Sequence, residues 1–179
     1  GTSGLGRKSR CHRSRNAPTG ERRSVSSLDR FHKAQAGAFE TALAELRAGR
    51  KRSHWIWFVF PQLAGLGRSS TAQFYALHDL EEARDYLCDP VLRDRLIAAA
   101  SAVDDALSSG TRLVDLMNGE VDSLKLVSSL TLFQRAIERL DEPGISDDLA
   151  RLASFCERIL KIAEGQGFPR CEFTLAQCG

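Results

Sequence analysis

Residues 49–69 read GRKRSHWIWFVFPQLAGLGRS, and no other stretch of the chain is as unusual. Three consecutive cations and a histidine precede both tryptophans of the protein, two phenylalanines and a glycine-rich turn that ends in an arginine. Aromatic residues make up 7% of the sequence, yet four of them lie between positions 55 and 60, which we call the aromatic block. Large aromatic side chains bury well but impose geometric constraints. The block is therefore either the centre of a core or the wall of a binding site.

On both sides of the aromatic block, apolar residues recur at the three- and four-residue steps of helices, first over residues 28–46. The block itself has strand-favouring residues, but it ends at Pro61 and no second convincing strand exists to pair with it. We therefore predict that it forms a short buried helix capped by Ser53. Capping signals predict further helix starts at Ser70, Asp79, Asp89, Thr111, Asp122 and Ser146. The sequence thus predicts an all-α fold, a compact single-domain bundle of about seven helices.

Charge and composition divide the chain into three parts. Residues 1–27 carry a net charge of +6 and almost no apolar side chains, whereas the whole chain carries +2. This composition predicts a disordered basic tail over residues 1–27 that is dispensable for folding. The tail is either a solvated extension or a segment that contacts nucleic acid through phosphate charge. We predict an all-helical domain over residues 28–165 and an irregular C-terminal tail over residues 166–179.

The five cysteines form no CxxC pair, and their number is odd. We interpret them as reduced thiols of a cytoplasmic protein, with a disulfide or metal site at Cys171 and Cys178 as the alternative. No histidine spacing indicates a metal site, and nothing indicates a cofactor. The longest apolar run is too short to cross a bilayer, no apolar segment follows the basic N-terminus as in a signal peptide, and no feature specifies an oligomeric state.

Three motifs resemble a known family. They are RxGRKRSHWxWFxFPQLxGLG over residues 47–67, YLxxPVL over residues 86–92 and DxLKLxSSxTLF over residues 122–133. The first and third are long and specific, and with the second they resemble the bacterial domain of unknown function 1810 family, which is sometimes labelled calpastatin-like. The resemblance covers residues 28–140 and implies a compact all-helical bundle, but no activity. The tail before residue 28 and the segment after Leu140 depart from the family pattern.

The basic residues around the aromatic block predict an anion site. Arginine grips phosphate or carboxylate with a bidentate fork, so Arg52 and Arg68 are candidate ligands. Free backbone N–H groups at the helix start after the glycine turn favour an anion near Arg68. Histidine is the side chain whose unperturbed charge changes near neutrality, so His54 is a candidate acid or base. Gln62 is a candidate for binding a ligand's amide or base edge. The alternative is a solvated basic loop in which His54 and Gln62 bond the backbone.

The third motif places Lys125, Ser128 and Ser129 on one helix face. A lysine that lowers the pKa of a neighbouring serine is a known nucleophile arrangement. The alternative is that the hydroxyls bond back to the carbonyl four residues earlier. If Lys125 is buried it needs an acidic partner, which we expect from the helix over residues 79–85.

These residues support three hypotheses. The first is a protein that binds a small anionic or phosphorylated ligand in a cleft walled by Trp55 and Trp57. The second is an enzyme that acts on a nucleotide-like or phosphorylated substrate there, with His54 and Lys125 transferring protons. The third is a protein-interaction module in which the aromatic block is simply core. The first two predict that the four cations converge around one cleft: Arg52, His54, Arg68 and Lys125.

Overall fold

The computed structural model describes Cys11 and residues 28–179. The predicted disordered tail over residues 1–27 therefore lies outside the described residues, apart from Cys11. The described part contains nine α-helices and one 3-10 helix, Pro143–Ile145. The α-helices are α1 (Asp29–Arg47), α2 (Ile56–Val59), α3 (Ser70–Tyr75), α4 (Leu80–Cys88), α5 (Pro90–Ser108), α6 (Leu113–Leu116), α7 (Glu120–Glu138), α8 (Ser146–Gly165) and α9 (Glu172–Gln177).

The predicted all-α class is confirmed, whereas the number of helices is not. In the described part, five helices have at least nine residues and the other four have four to six. There is no strand in this part, and an isolated bridge joins Leu63 to Leu77. The C-terminal tail is not irregular as predicted, because it contains α9, which packs against α7.

The long helices build one core around α5 and α7. Helices α1 and α8 pack on α5, α4 and α8 pack on α7, and the short α2 lies against α1 and α7. The rings of Phe31 and Phe133 each lie 5.2 Å from that of Tyr86. Complete burial raises the Tyr86 pKa well above its ordinary range, and the Gln35 amide donates to the phenolic oxygen at 2.9 Å. The aromatic block thus enters the centre of the bundle through α2.

Two of the predicted caps are confirmed. Asp79 accepts from the backbone N–H of Glu82 at 2.8 Å, and Asp89 accepts from Val91 and Leu92 at 3.0 Å. Ser69, not Ser70, caps α3. The remaining predicted caps were wrong. Thr111 lies two residues before α6, which is too early to cap it. Helix α7 begins before Asp122 and α8 begins at Ser146 itself, and neither helix has a side-chain cap.

The cysteines are not all free thiols. A disulfide joins Cys11 to Cys88, which corrects the expectation of five reduced cysteines. Cys156, Cys171 and Cys178 are free, so the alternative disulfide between the last two does not form. Among the described residues, no helix has both the length and the apolar character that a membrane crossing requires.

Candidate functional site

Glu45, near the end of α1, organises the segment that leads into the aromatic block. Its Oε2 accepts the backbone N–H of Arg52 at 2.7 Å and of Ser53 at 3.0 Å. The same oxygen accepts the indole N–H of Trp55 at 2.8 Å, and Oε1 accepts the Ser53 hydroxyl. One carboxylate therefore fixes the direction of three residues in the loop. Ser53 does not cap α2 as predicted, because its hydroxyl donates to Glu45 instead.

These hydrogen bonds keep Glu45 ionised. Burial acts to raise its pKa, but the bonds from the Ser53 hydroxyl, the Arg52 and Ser53 backbone and the Trp55 indole lower the pKa to about 2. Donors that stabilise the charged form lower the pKa of a carboxyl group. The carboxylate is therefore ionised near neutral pH and lies beside the basic segment.

The three consecutive cations point in different directions. Lys51 is buried, with its Nζ 2.6 Å from the carbonyl oxygen of Ser53 and 2.8 Å from Oδ2 of Asp122 in α7. Arg52 is exposed, and Arg50 donates to the Asn118 side chain at 3.1 Å. The buried cation of the segment is thus Lys51, which sequence reasoning did not select.

Asp122 holds two lysines at once. Its Oδ1 lies 3.3 Å from Nζ of Lys125, which is the neighbour one turn along α7. The partner of Lys125 is therefore Asp122, and the expected acid from the helix over residues 79–85 was wrong. Two lysines sharing one carboxylate carry a net charge of +1. This cluster of Lys51, Asp122 and Lys125 is called the lysine cluster below.

Each lysine of the cluster lies over a tryptophan. Nζ of Lys51 is 5.2 Å from the centre of the Trp55 ring, and Nζ of Lys125 is 4.7 Å from that of Trp57. Both distances are within the range of a cation–π interaction. Trp55 is 1% exposed, whereas Trp57 is half-buried. Trp55 is therefore core, and Trp57 with Lys125 forms the side of the block that solvent reaches.

Among the described residues, no contact joins Lys125 to the other three cations that were predicted to share its cleft. Arg52, His54 and Arg68 are exposed, and no hydrogen bond or ion pair joins their side chains to another described residue. The cation that meets Lys125 is Lys51 rather than any of these three. The contact recorded for Gln62 is made by its backbone, whose carbonyl oxygen accepts the N–H of Leu77 at 2.8 Å.

The serines of the third motif do not form a lysine–serine nucleophile. The Ser128 hydroxyl donates to the carbonyl oxygen of Leu124 at 2.8 Å, which is the predicted alternative. Ser129 is fully buried, and its hydroxyl has no partner among the described residues. Burial acts to raise the pKa of the Cys171 thiol, but the polar groups of Ser128 and Thr174 beside it lower the pKa overall. Ser128 thus faces the C-terminal segment.

Sequence reasoning missed Glu45, Lys51 and Asp122. Asp122 lies in the third motif, three residues before Lys125, and this spacing is the signal that pairs the two. For Glu45 no local signal exists, since its partners lie seven to ten residues along the chain and beyond the end of α1. The sequence gives no reason to expect that Lys51, rather than its two basic neighbours, is buried, because this depends on the direction of the loop after α1.

Two adjoining cavities lie away from the aromatic block. They have volumes of about 320 and 370 Å³ and form a groove along α5 and the end of α1, with α8 lining the smaller one. Arg47, Ala102 and Asp105 line both, and Asp94, Asp148 and Arg151 add further charge at one end. Within the part of the chain that the structure covers, no group of three or more potential metal ligands occurs. The groove is polar and shares no residue with the lysine cluster.

Comparison with known proteins places the chain among uncharacterised relatives. The sequence profile of the family described as "Protein of unknown function (DUF1810)" matches residues 25–154. The crystal structure of the conserved hypothetical protein Rv1873 from Mycobacterium tuberculosis is similar, with 38% sequence identity and a TM-score of 0.67. The alignment covers 86% of this chain and 96% of that one. No curated protein matches the chain.

Proposed function

We propose that this protein, which belongs to the DUF1810 family, binds a small anionic or phosphorylated ligand beside Trp57 and Lys125. The observation that carries the proposal is the lysine cluster. Its single carboxylate is shared by two ammonium groups, and one of them covers a half-buried tryptophan. A net positive charge beside an accessible aromatic face suits a flat or apolar ligand that carries an anionic group.

Lys125 is the residue that would meet the anion. It is half-buried, and its 3.3 Å contact with Asp122 is longer than the 2.8 Å contact of Lys51. Lys51 remains on Asp122 and the Ser53 carbonyl, so the carboxylate stays neutralised when Lys125 turns to a ligand. Arg52 and His54 are exposed on the same segment as Lys51 and supply additional positive charge or hydrogen-bond donors.

Trp57 would supply the contact area. Contact between the Trp57 ring and a ring or sugar of the ligand would bury apolar surface. The Lys125 ammonium over the same ring would place a positive charge beside that contact. Trp55 cannot take this role, because it is buried and its indole N–H is bonded to Glu45. The proposed site is therefore an open face rather than the closed cleft walled by both tryptophans.

The test is a thermal-shift screen of the full chain with nucleotides, sugar phosphates and acidic metabolites. A ligand at many times its Kd raises the unfolding temperature. For each hit, tryptophan fluorescence of Trp55→Phe, which leaves Trp57 as the one tryptophan, reports contact with that ring. We expect the hit to change this fluorescence and to bind at least tenfold more weakly to Lys125→Gln.

The matched control is Lys161→Gln, which removes an exposed lysine of α8. This variant should bind the hit as the unchanged protein does. Equal affinity for Lys125→Gln and Lys161→Gln would contradict the proposed site. If the Lys125→Gln protein keeps the unfolding temperature of the parent, the loss of affinity is not due to unfolding.

Exposed apolar residues near the same face favour a second candidate, a protein-interaction module. Val121 is 66% exposed and Leu124 is 52% exposed, and both lie on α7 beside the lysine cluster. Large exposed apolar side chains that are contiguous mark interaction surfaces. A screen without hits, together with capture of an acidic peptide that Leu124→Ser abolishes, would favour this candidate over a small ligand.

A further inference from the structure

Cys171 differs from the other free cysteines of the described residues in being partly exposed, whereas Cys156 and Cys178 are buried. Its backbone N–H donates to Oγ1 of Thr131 at 3.4 Å, so the residue before α9 lies against α7 within the third motif. Helix α9 also packs on the turn after the aromatic block through the ring of Phe173. The C-terminal segment therefore brings a thiol to the place where the first and third motifs meet.

Two hydroxyl groups lie beside the Cys171 thiol. One belongs to Ser128, which is 6% exposed, and the other to Thr174, which is completely buried. Oγ1 of Thr174 has no hydrogen-bond partner among the described residues. A buried hydroxyl without a partner costs free energy, and this cost is recovered when the group donates to an acceptor. A charged or modified sulfur at Cys171 is the acceptor that the Thr174 hydroxyl lacks.

The thiol of Cys171 also ionises more readily than those of the other free cysteines. Burial acts to raise its pKa, but the hydroxyls of Ser128 and Thr174 lower the pKa overall. Burial raises the pKa of Cys156 to about 12, and it also raises that of Cys178. Because the thiolate is the nucleophile, Cys171 combines the two conditions for reaction with a small molecule, access and charge.

Cys171 lies one helical turn from the lysine of the proposed ligand site. Ser128, beside the thiol, follows Lys125 by three residues on α7. Residues at this spacing are neighbours on a helix surface, with Cβ atoms about 5–6 Å apart. Nζ of Lys125 in turn lies over the ring of Trp57. The thiol, the ammonium group and the half-buried indole therefore follow one another along the same face.

The charges of this face favour an anionic partner for the thiol. Arg170 precedes Cys171 and is paired with two glutamates of α8, at 2.8 and 3.5 Å. Glu172 follows Cys171 and is exposed, so solvent and salt screen its charge. The lysine cluster beside Ser128 carries a net charge of +1 and is less exposed.

We propose that Cys171 is a modification site that takes up an anionic low-molecular-weight thiol as a mixed disulfide, while Lys125 binds the anionic group. The proposal rests on the proposed function, because the same lysine receives the anion. The Cys171 thiolate attacks one sulfur of a small anionic disulfide, whose S–S bond breaks as the new bond forms. The other half leaves as a thiolate and takes a proton. The Cys171 sulfur is oxidised, the leaving sulfur is reduced, and a further small thiol reverses the reaction.

The test compares two disulfides of opposite charge on the full chain, oxidised glutathione, which is anionic, and cystamine, which is cationic. Peptide masses after an acid quench locate each adduct and give its rate. Each rate at Cys171 is divided by the rate with the unfolded protein, which removes the intrinsic reactivity of the reagent. We expect glutathione to be favoured over cystamine by about fivefold, the size of an interaction between unit charges near a surface. Adducts on Cys156 or Cys178 in place of Cys171, or an equal preference in the folded and unfolded protein, would overturn the proposal.

Three variants connect this reaction to the residues around the thiol. Lys125→Gln should slow the glutathione reaction by about threefold and leave the cystamine reaction unchanged, because one positive charge is lost. Lys161→Gln, the exposed control, should change neither. Thr174→Val removes the buried hydroxyl and should slow both reagents without lowering the unfolding temperature, because that hydroxyl has no partner to lose. Unchanged rates in this variant would contradict a site built on the hydroxyl.

The outcomes separate this inference from the proposed function. Equal glutathione rates in Lys125→Gln and Lys161→Gln would overturn the modification site, even if the thermal-shift screen found a ligand that needs Lys125. A charge preference at Cys171 that Lys125→Gln abolishes, together with a screen without hits, would support the modification site and contradict a noncovalent ligand.

Discussion

At the scale of single residues, Glu45 holds the basic segment of the first motif in place. Its carboxylate accepts four hydrogen bonds, one of them from the buried indole of Trp55. Removal of an acceptor leaves its buried donors unsatisfied, which costs more than the net value of the bond. Its partners are the Arg52 backbone, Ser53 and the Trp55 indole, so its role is to position Trp55 and the chain before it.

Glu45→Ala should lower the free energy of unfolding by about 2–4 kcal/mol, because a charged acceptor of several bonds is lost. Chemical denaturation measures this. The control is Glu40→Ala, an exposed glutamate of the same helix, which should leave stability unchanged. Equal stability of the two variants would mean that the loop holds its shape without Glu45.

The depressed pKa of Glu45 also gives a pH dependence. Its pKa is lowered from 4.5 to about 2 in the folded protein, so the folded state prefers the ionised form. The stabilisation is complete above the unfolded pKa and is lost as the pH falls from about 4.5 towards 2. Over this range the unfolding temperature of Glu45→Gln should fall less steeply than that of the parent. Parallel curves for the two proteins would contradict the assignment.

At the scale of helices and turns, a glycine fixes the turn that follows the aromatic block. Gly65 has a φ of +103°, and a Cβ there would lie 2.9 Å from Cζ of Phe173. The turn between α2 and α3 is therefore packed against Phe173, the second residue of α9. This contact joins the first motif to the C-terminal segment, which lies outside the family match.

Gly65→Ala should destabilise the protein by about 1–3 kcal/mol, because alanine is strained at positive φ and the Phe173 ring must move. Gly37→Ala is the matched control, since nothing lies within 4 Å of the added Cβ in the middle of α1. That variant should gain about 0.5–1 kcal/mol from helix propensity. Thermal unfolding of both variants gives the comparison, and a neutral Gly65→Ala would show that the turn adapts.

The same scale shows which helix signals can be read from sequence. Asp79 and Asp89 cap their helices as predicted, because the donors they need lie within three residues. Ser53 and Asp122 were also expected to cap, but the Ser53 hydroxyl is taken by Glu45, and Asp122 lies inside α7, which begins at Glu120. Ser53 donates to Glu45, and Asp122 pairs with Lys51, so neither partner can be found without the fold.

At the scale of the whole molecule, the sequence predicted that the first and third motifs meet, but not which residues make the contact. The first and third motifs do meet, through Lys51 in the loop before α2 and Asp122 in α7. Sequence reasoning expected the meeting from the cations in both motifs. It could not choose Lys51 over Arg52, because that choice depends on which way the loop runs after Glu45.

Asp122→Ala tests whether this pair holds the two motifs together. The side chain of Lys51 is 6% exposed, so loss of its partner leaves a buried cation without a counter-charge. Removal of one member of a buried ion pair costs about 3–5 kcal/mol, much of it the desolvation of the charge that remains. We expect a loss of this size in denaturant unfolding.

Two further variants separate the cost of a buried charge from the loss of attraction alone. Asp115→Ala breaks an exposed pair with Arg112 and should leave stability unchanged, because solvent screens that pair. The double variant Lys51→Met, Asp122→Leu removes both charges and should recover most of the stability that Asp122→Ala loses.

If the double variant is no more stable than Asp122→Ala, the cost lies in lost packing between the loop and α7. If Asp122→Ala behaves like Asp115→Ala, Lys51 does not depend on Asp122, and the two motifs are joined by apolar contacts alone.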